Sequence, residues 1–332
     1  MSKDLRAGLE KDVKVVLKSD VPKIKVGLDI GASSVKVSYL HEGSINDFSF
    51  FNRIDHDVEN GDGVIVNVDG EEIKVGSISG RSNANPKKVN YRYKKHILFN
   101  VAYQIKSALG IKGDIELDIN TCLPPKQFKE SREDYKQLIK DCEGTGIVNG
   151  EEFNLFIADV KCGAEGVVLL KSFNINSVAK DLMKIMLLDI GSSTTDIILL
   201  ENMTDNVWKI KNATTSTAAG SSMCKDIETH LNKTTDANYS WDNLELQGRY
   251  QLKQEVKPLI NNSNDIDRTV KDLMNDIDKV GTFDEYVPLL AGQGSKLLSQ
   301  NDLFKKKTNF FVVDADNQKY GNSRGCLKST NK

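Results

Sequence analysis

The sequence predicts an α/β protein built from two related domains that share one ligand cleft. Three observations point there. The chain has 332 residues, enough for two domains at roughly 100–200 residues each. A strand–turn–strand motif occurs twice, once in each half. A third motif, an apolar strand running through Gly-x-Gly into a helix, follows late in the chain.

The two copies are Val26-Gly27-Leu28-Asp29-Ile30-Gly31-Ala32-Ser33-Ser34-Val35-Lys36-Val37 and Met186-Leu187-Leu188-Asp189-Ile190-Gly191-Ser192-Ser193-Thr194-Thr195-Asp196-Ile197-Ile198. A glycine lets backbone approach a phosphate, and successive N–H groups with small hydroxyl side chains make an anion-binding concavity. An aspartate before each glycine does not bind phosphate directly, because like charges repel. It makes sense if Mg²⁺, keeping several waters, sits between carboxylate and phosphates. Lys36 supplies a fixed positive charge. Alternatively, the copies are ordinary turns on unrelated hairpins. The third motif, Tyr286 to Leu298, fails as a dinucleotide fingerprint because Leu297 stands where a third glycine is required.

Elements follow in order. Leu5, Leu9, Val13 and Val16 recur at helical spacing, which predicts a short amphipathic helix before Pro22. Strands follow between Val37 and Phe51, then a hairpin over Val64–Val75 around Asp69-Gly70. The polar stretch Ser77–Lys88 reads as an exposed loop. Ile97, Val101, Ile105 and Leu109 predict a helix closed by Gly110. A strand at Ile115–Cys122 ends at Leu123-Pro124-Pro125 and leads to a charged helix around Glu130–Cys142. Phe153–Val160 reads as a strand and Gly163–Ser172 as a helix entering the second half. After the second hairpin come a strand at Val207–Asn212, a small-residue turn from Ala218 to Ser222, a helix over Met223–Leu231 and a polar loop at Asn232–Asn243. Ile266, Val270, Leu273, Ile277 and Val280 predict an amphipathic helix stopped by Gly281. A strand at Phe310–Val313 and a turn or helix start at Tyr320–Gly325 close the chain. The clusters Lys94–Lys95 and Lys305–Lys307 read as solvated surface.

Two phosphate hairpins with a late strand–Gly-x-Gly–helix resemble the actin-like ATPase superfamily. Its α/β architecture is a duplicated, ribonuclease H-like two-domain fold with a nucleotide cleft between the halves. The branch it looks most like is the ParM-type plasmid-segregating bacterial actins of Firmicutes. The match to that branch is carried by Thr121-Cys122-Leu123-Pro124-Pro125-Lys126-Gln127-Phe128 and by the closing Asn322-Ser323-Arg324-Gly325. The resemblance implies an extension at 1–23, domain I at 24–185 with a small subdomain hairpin at 57–96, domain II at 186–308, and a segment 309–332 returning to domain I.

Carried over residue by residue, the resemblance puts Asp29 and Asp189 near Mg²⁺, through water. Gly31, Ser33 and Lys36 hold the phosphates from one side, with Gly191, Ser193 and Thr194 from the other. Gly220 borders ribose and phosphates, and Gly292 and Gly294 form the adenosine turn. The group that orients the attacking water is Asp159 or, alternatively, Glu165, with Asp189 alongside. Asp159 departs from the family pattern, because Ala158 precedes it where proline is usual, and an N-cap role is the competing reading. The implied ligand is ATP, with GTP as the alternative. The implied function is an ATPase that assembles head to tail with copies of itself and segregates plasmid DNA through a DNA-binding adaptor. A small-molecule kinase and a chromosomal cell-shape or division actin are the alternatives.

Composition agrees. With 45 Lys+Arg against 47 Asp+Glu, the formal charge is −2, so no strongly basic surface coats DNA directly. No stretch approaches the ~20 apolar residues of a membrane span, and the N-terminus shows no apolar signal region. Five dispersed cysteines and four scattered histidines form no metal or disulfide pattern, which places the protein in a reducing cytoplasm.

Overall fold

A computed structural model describes residues 21–83, 87–172, 182–191, 193–203, 208–234, 264–292, 294–313 and 319–329. The helix expected before Pro22 and most of the loop expected at Asn232–Asn243 lie outside these residues.

Each half is organised by a sheet, and each sheet contains the same five-strand unit. In the first half, β1 (Lys23–Ile30), β2 (Ser34–His41) and β3 (Ser44–Phe51) form an antiparallel meander. Strand β8 (Ile115–Leu123) then runs parallel to β1, and β10 (Glu151–Ala164) runs parallel to β8. In the second half, β11 (Lys184–Ile190), β12 (Thr195–Asn202) and β13 (Trp208–Ser216) form the meander. There β14 (Val287–Ala291) runs parallel to β11, and β15 (Phe311–Val312) parallel to β14. The sequence repeat is therefore a repeat of topology, order and strand direction.

The first sheet continues past β10 through β9 (Gly144–Val148) into a small subdomain of β4 (Arg53–Asp55), β5 (Val64–Val68), β6 (Glu71–Val75) and β7 (Arg81–Ser82), giving ten strands. The β5–β6 turn is the expected one: Asp69 and Gly70 have φ of 54° and 80°, both left-handed as a two-residue hairpin requires. Helix α1 (Lys94–Leu109) packs its apolar stripe on this sheet and ends at Gly110, φ 66°. Lys94, expected in solvent, is buried. Its Nζ donates to the carbonyls of Val89 (2.9 Å) and Tyr91, tying the helix to the short 3₁₀ turn Lys88–Asn90. Helix α2 (Pro125–Lys140) starts on the second proline of Leu-Pro-Pro, where a missing N–H costs nothing.

One local expectation fails. The strand predicted at Phe153–Val160 runs on to Ala164, and the helix predicted at Gly163–Ser172 shrinks to α3 (Val167–Leu170). Parallel pairing decides this: Gly163 and Ala164 sit opposite Cys122 and Leu123 of β8, and those ladder bonds override local helical tendency. Helix α3 then wedges between the halves. Leu169 and Leu170 join Ile185, Leu187, Ile198 and Leu200 of the second sheet, while Val168 packs with Cys122 and Cys326.

The other face of the second sheet is covered by α4 (Gly220–Thr234), α5 (Asn264–Asp278) and α6 (Ser295–Leu298), with Phe304 of α7 (Asp302–Lys307) completing that core. The C-terminal segment divides. Strand β15 stays in the second sheet, and α8 (Gly321–Lys328) crosses back to lie on β1, β2 and β8. Of the segment 309–332, expected to return to the first domain, α8 does so, whereas β15 stays in the second sheet, where it completes the repeated five-strand unit. The approach of α8 is too close for side chains. A Cβ on Gly27 would stand 1.9 Å from the carbonyl oxygen of Ser323, and one on Gly325 would stand 1.8 Å from that of Val168. Gly325→Ala is expected to lower stability by about 3 kcal/mol, read as a drop in the urea midpoint.

Candidate functional site

The two repeated hairpins face each other across a cleft of roughly 470 Å³, a volume in the range of small-molecule sites. Their turns are built alike. The N–H of Gly31 donates to the carbonyl of Ser34 at 3.0 Å, and that of Gly191 to Thr194 at 2.9 Å. Asp29 is opposite Lys36 in the first hairpin, and Asp189 is opposite Asp196 in the second. Lys36 and Asp196 are thus equivalent positions of the repeat with opposite charge.

The first hairpin carries a buried ion network. Lys36 Nζ lies 3.2 Å from Asp29 Oδ2, and Lys88 Nζ lies 2.9 Å from Asp29 Oδ1 and 2.5 Å from Glu165 Oε1. Burial alone would raise the Asp29 pKa, but the two ammonium groups outweigh it and hold the carboxyl well below its usual range. Burial would likewise strip Lys88 of its proton, yet Asp29 and Glu165 hold its pKa well above normal. Lys88 is positioned by the 3₁₀ turn, whose first N–H donates to Gln127 Oε1 of α2 at 2.9 Å.

Among the described residues, no lysine is bonded to a carboxylate of the second hairpin's turn, although Lys36 lowers the Asp189 pKa from across the cleft. Burial first, and the charge of Glu165 second, push Asp189 up to about 6, despite a hydrogen bond from Asn322 Nδ2 to its Oδ2 at 3.0 Å. Asp196 is raised well above its usual value by burial first and by the charge of Glu165 second, although Thr215 Oγ1 donates to it at 2.6 Å. Four carboxylates therefore converge on the cleft from both sheets.

Of the residues expected at the site, Asp29, Gly31, Ser33, Lys36, Asp189, Gly191, Ser193, Thr194, Glu165 and Gly292 line this cleft. Gly220 and Gly294 are bonded to the second hairpin's backbone behind it, through Gly191 O (3.0 Å) and Ile190 O (2.9 Å). Gly292 has φ of 76°, and a Cβ there would lie 2.5 Å from Asp189 Oδ1, so only glycine fits beside that carboxylate.

Asp159 is the exception. It is exposed within β10, at the irregularity between Ile157 and Asp159. Its Oδ1 accepts the N–H of Val160 (2.8 Å), and its Oδ2 lies 3.6 Å from Lys161 Nζ. Because β10 extends to Ala164, the strand-to-helix connection falls at Glu165, which is buried and faces the cleft. Neither the water-orienting role nor the N-cap role fits Asp159.

Sequence reading missed Lys88, Asp196 and Asn322. Asp196 was detectable, since aligning the two repeats sets it against Lys36. Lys88 was concealed in a polar stretch that reads as loop. Asp29, Cys122 and Glu165 form the one group among the described residues with three metal-type donors within 4.8 Å of one another, and the Lys88 ammonium bonds to both of its carboxylates. Among the described residues, no helix is long and apolar enough to cross a membrane.

No protein-family model and no curated relative matches the sequence. Solved structures do. The chain is similar to an archaeal actin homologue, Ta0583, with TM-score 0.68 and 16% identity over 92% of this chain and 98% of that one. It is similar to Bacillus thuringiensis ParM with ATP, with TM-score 0.64 and 16% identity over 92% and 97%. It is also similar to the filament structure of AlfA from a B. subtilis plasmid, with TM-score 0.57 and 16% identity over 93% and 99%. The fold is actin-like.

The charge pattern has opposite consequences for the two aspartates. The folded-state pKa of Asp189 is raised, so the folded chain holds a proton that the unfolded chain releases, and stability contributed at low pH is lost as pH rises from about 4 to 6. Asp189→Asn removes this loss. Relative to wild type it is expected to gain about 2 kcal/mol between pH 4 and pH 7, read by urea denaturation across that range. The pKa of Asp29 is depressed, so its contribution is present above about pH 4 and lost in acid. Asp29→Asn is expected to cost about 3 kcal/mol at pH 7 by stranding Lys36 and leaving Lys88 with Glu165 alone, a loss that shrinks as pH falls.

Proposed function

We propose that the cleft binds ATP with Mg²⁺ and that the protein is a filament-forming ATPase of the plasmid-segregating kind. The observation that carries this reading is the pair of matching hairpin turns facing each other across one cleft, one side carrying two lysines paired with carboxylates and the other two carboxylates. ParM with ATP and the AlfA filament share its fold, which supports nucleotide binding and self-assembly as the use of that cleft.

The residues divide the work. Lys36 and Lys88 supply fixed positive charge for phosphate oxygens, with Gly31, Ser33, Ser193 and Thr194 at the turns. Gly292 borders the nucleoside side of the cleft, while Gly220 and Gly294 brace the turn from behind. Asp189 and Asp196 offer carboxylate oxygens of the kind a hard divalent cation takes beside a phosphate chain and its own waters. The cation belongs with Asp189, because both oxygens of Asp29 are taken by lysines. When bound, Mg²⁺ neutralises charge on the transferring phosphoryl group. Glu165, held by Lys88 and facing the cleft, orients the attacking water in place of Asp159. ATP against GTP is a matter for competition binding.

Closure of the halves on nucleotide favours head-to-tail contacts, which do not close on themselves and so propagate a filament. A separate DNA-binding adaptor carries the plasmid, consistent with a charge of −2. Pelleting with and without ATP–Mg²⁺, alongside phosphate release, tests the reading. Wild type is expected to sediment only with nucleotide. Glu165→Gln is expected to lose about 100-fold or more in hydrolysis while still sedimenting, and Asp159→Asn to match wild type in both. Absence of pelleting together with phosphate transfer to a small hydroxylated acceptor would overturn it in favour of a kinase.

A further inference from the structure

Asn322 begins the last turn of structure to reach the cleft, and its position is set from outside the cleft. It lies in α8, which packs on the first sheet. Ser323 Oγ is 2.8 Å from Ser38 Oγ, Arg324 Nε donates to Asp47 Oδ2 at 2.9 Å, and Gly325 presses against the backbone of Val168. From this clamped helix the Asn322 amide crosses to the other half, where Nδ2 donates to Asp189 Oδ2 at 3.0 Å. Its Oδ1 is buried and has no hydrogen-bond partner among the described residues, and Asn322 and Asp189 both line the cleft.

A buried carbonyl oxygen without a donor destabilises the fold, so a ligand that supplies a donor there relieves that cost. Phosphate oxygens are acceptors and cannot supply one. A water on a divalent cation can: Mg²⁺ keeps several of its waters, and their protons point outward. The adjacent carboxylate, Asp189, has no lysine bonded to it among the described residues, whereas Asp29 has two.

Resting on the nucleotide reading above, we propose that Asn322 is a positioning residue for the cation subsite. Its Nδ2 fixes the orientation of Asp189 and its Oδ1 accepts a hydrogen bond from a cation-bound water. The amide thus fastens the cation's hydration shell to a helix that belongs to the opposite half of the molecule.

The test is binding of a fluorescent ATP analogue to the full chain, measured in EDTA and then across a Mg²⁺ titration. Wild type is expected to bind in EDTA and to tighten with Mg²⁺. Asn322→Leu is expected to bind the metal-free analogue within about twofold of wild type but to need about 10-fold more Mg²⁺ for half of the tightening. Asn322→Ser, which keeps an oxygen at shorter reach, is expected to fall between them. The retained EDTA affinity reports that the variants are folded. An unchanged Mg²⁺ midpoint in both variants overturns the inference and leaves the nucleotide reading standing. An equal loss in EDTA and in Mg²⁺ also overturns it, and assigns Oδ1 to a ribose hydroxyl instead. A wild type that binds no analogue under either condition overturns the nucleotide reading, and the inference with it.

Discussion

The ammonium of Lys88, bonded at once to Asp29 and Glu165, is the interaction on which the geometry of the cleft depends. Three separate parts of the first half meet at that one charge: the end of β1, the junction of β10 with α3, and the 3₁₀ turn that leads into α1. Taking three charges out of water is costly, and the cost is met only if each keeps its partner. Asp29 also bonds Lys36, and the turn that carries Lys88 is itself held by Gln127. Moving the small subdomain away from β1 would therefore leave a buried charge without a partner. The network makes the position of one segment conditional on the other.

The repeat explains why the charge falls on one side. Two five-strand units of identical topology present hairpins with the same turn bond, yet the position opposite each aspartate differs. Lys36 faces Asp29, and Asp196 faces Asp189. One substitution between equivalent positions makes the first hairpin charge-balanced, with Lys36 against Asp29, and leaves the second with two carboxylates facing each other. The raised pKa values of Asp189 and Asp196 express the same asymmetry, since burial there is not offset by a bonded lysine.

Where periodicity was strong, local sequence and structure agree. The stripe from Ile97 to Leu109 became α1, and the Asp69-Gly70 turn closed β5 and β6, because both signals come from residues within a few positions of each other. The segment from Phe153 to Ser172 went otherwise, because its conformation is set by a neighbour. Strand β8 lies alongside and extends β10 through Gly163 and Ala164. That extension leaves Asp159 exposed and brings Glu165, not Asp159, to the cleft. Lys88 was equally illegible, since a lysine in a Ser/Asn/Gly-rich stretch looks like any solvated lysine until its partners are known.

The sequence by itself determined the duplication, the two aspartate–glycine turns, the late Gly-x-Gly motif and most regular elements. All of these are written in patterns of adjacent residues, where hydrophobic period and turn chemistry act locally. Only the tertiary structure decided which charges meet. It brought Lys88 to Asp29 and Glu165, set Asn322 of the last helix against Asp189 of the second sheet, and removed Asp159 to the surface. Electrostatic energy depends on distance and burial, and neither is encoded in the order of residues along the chain.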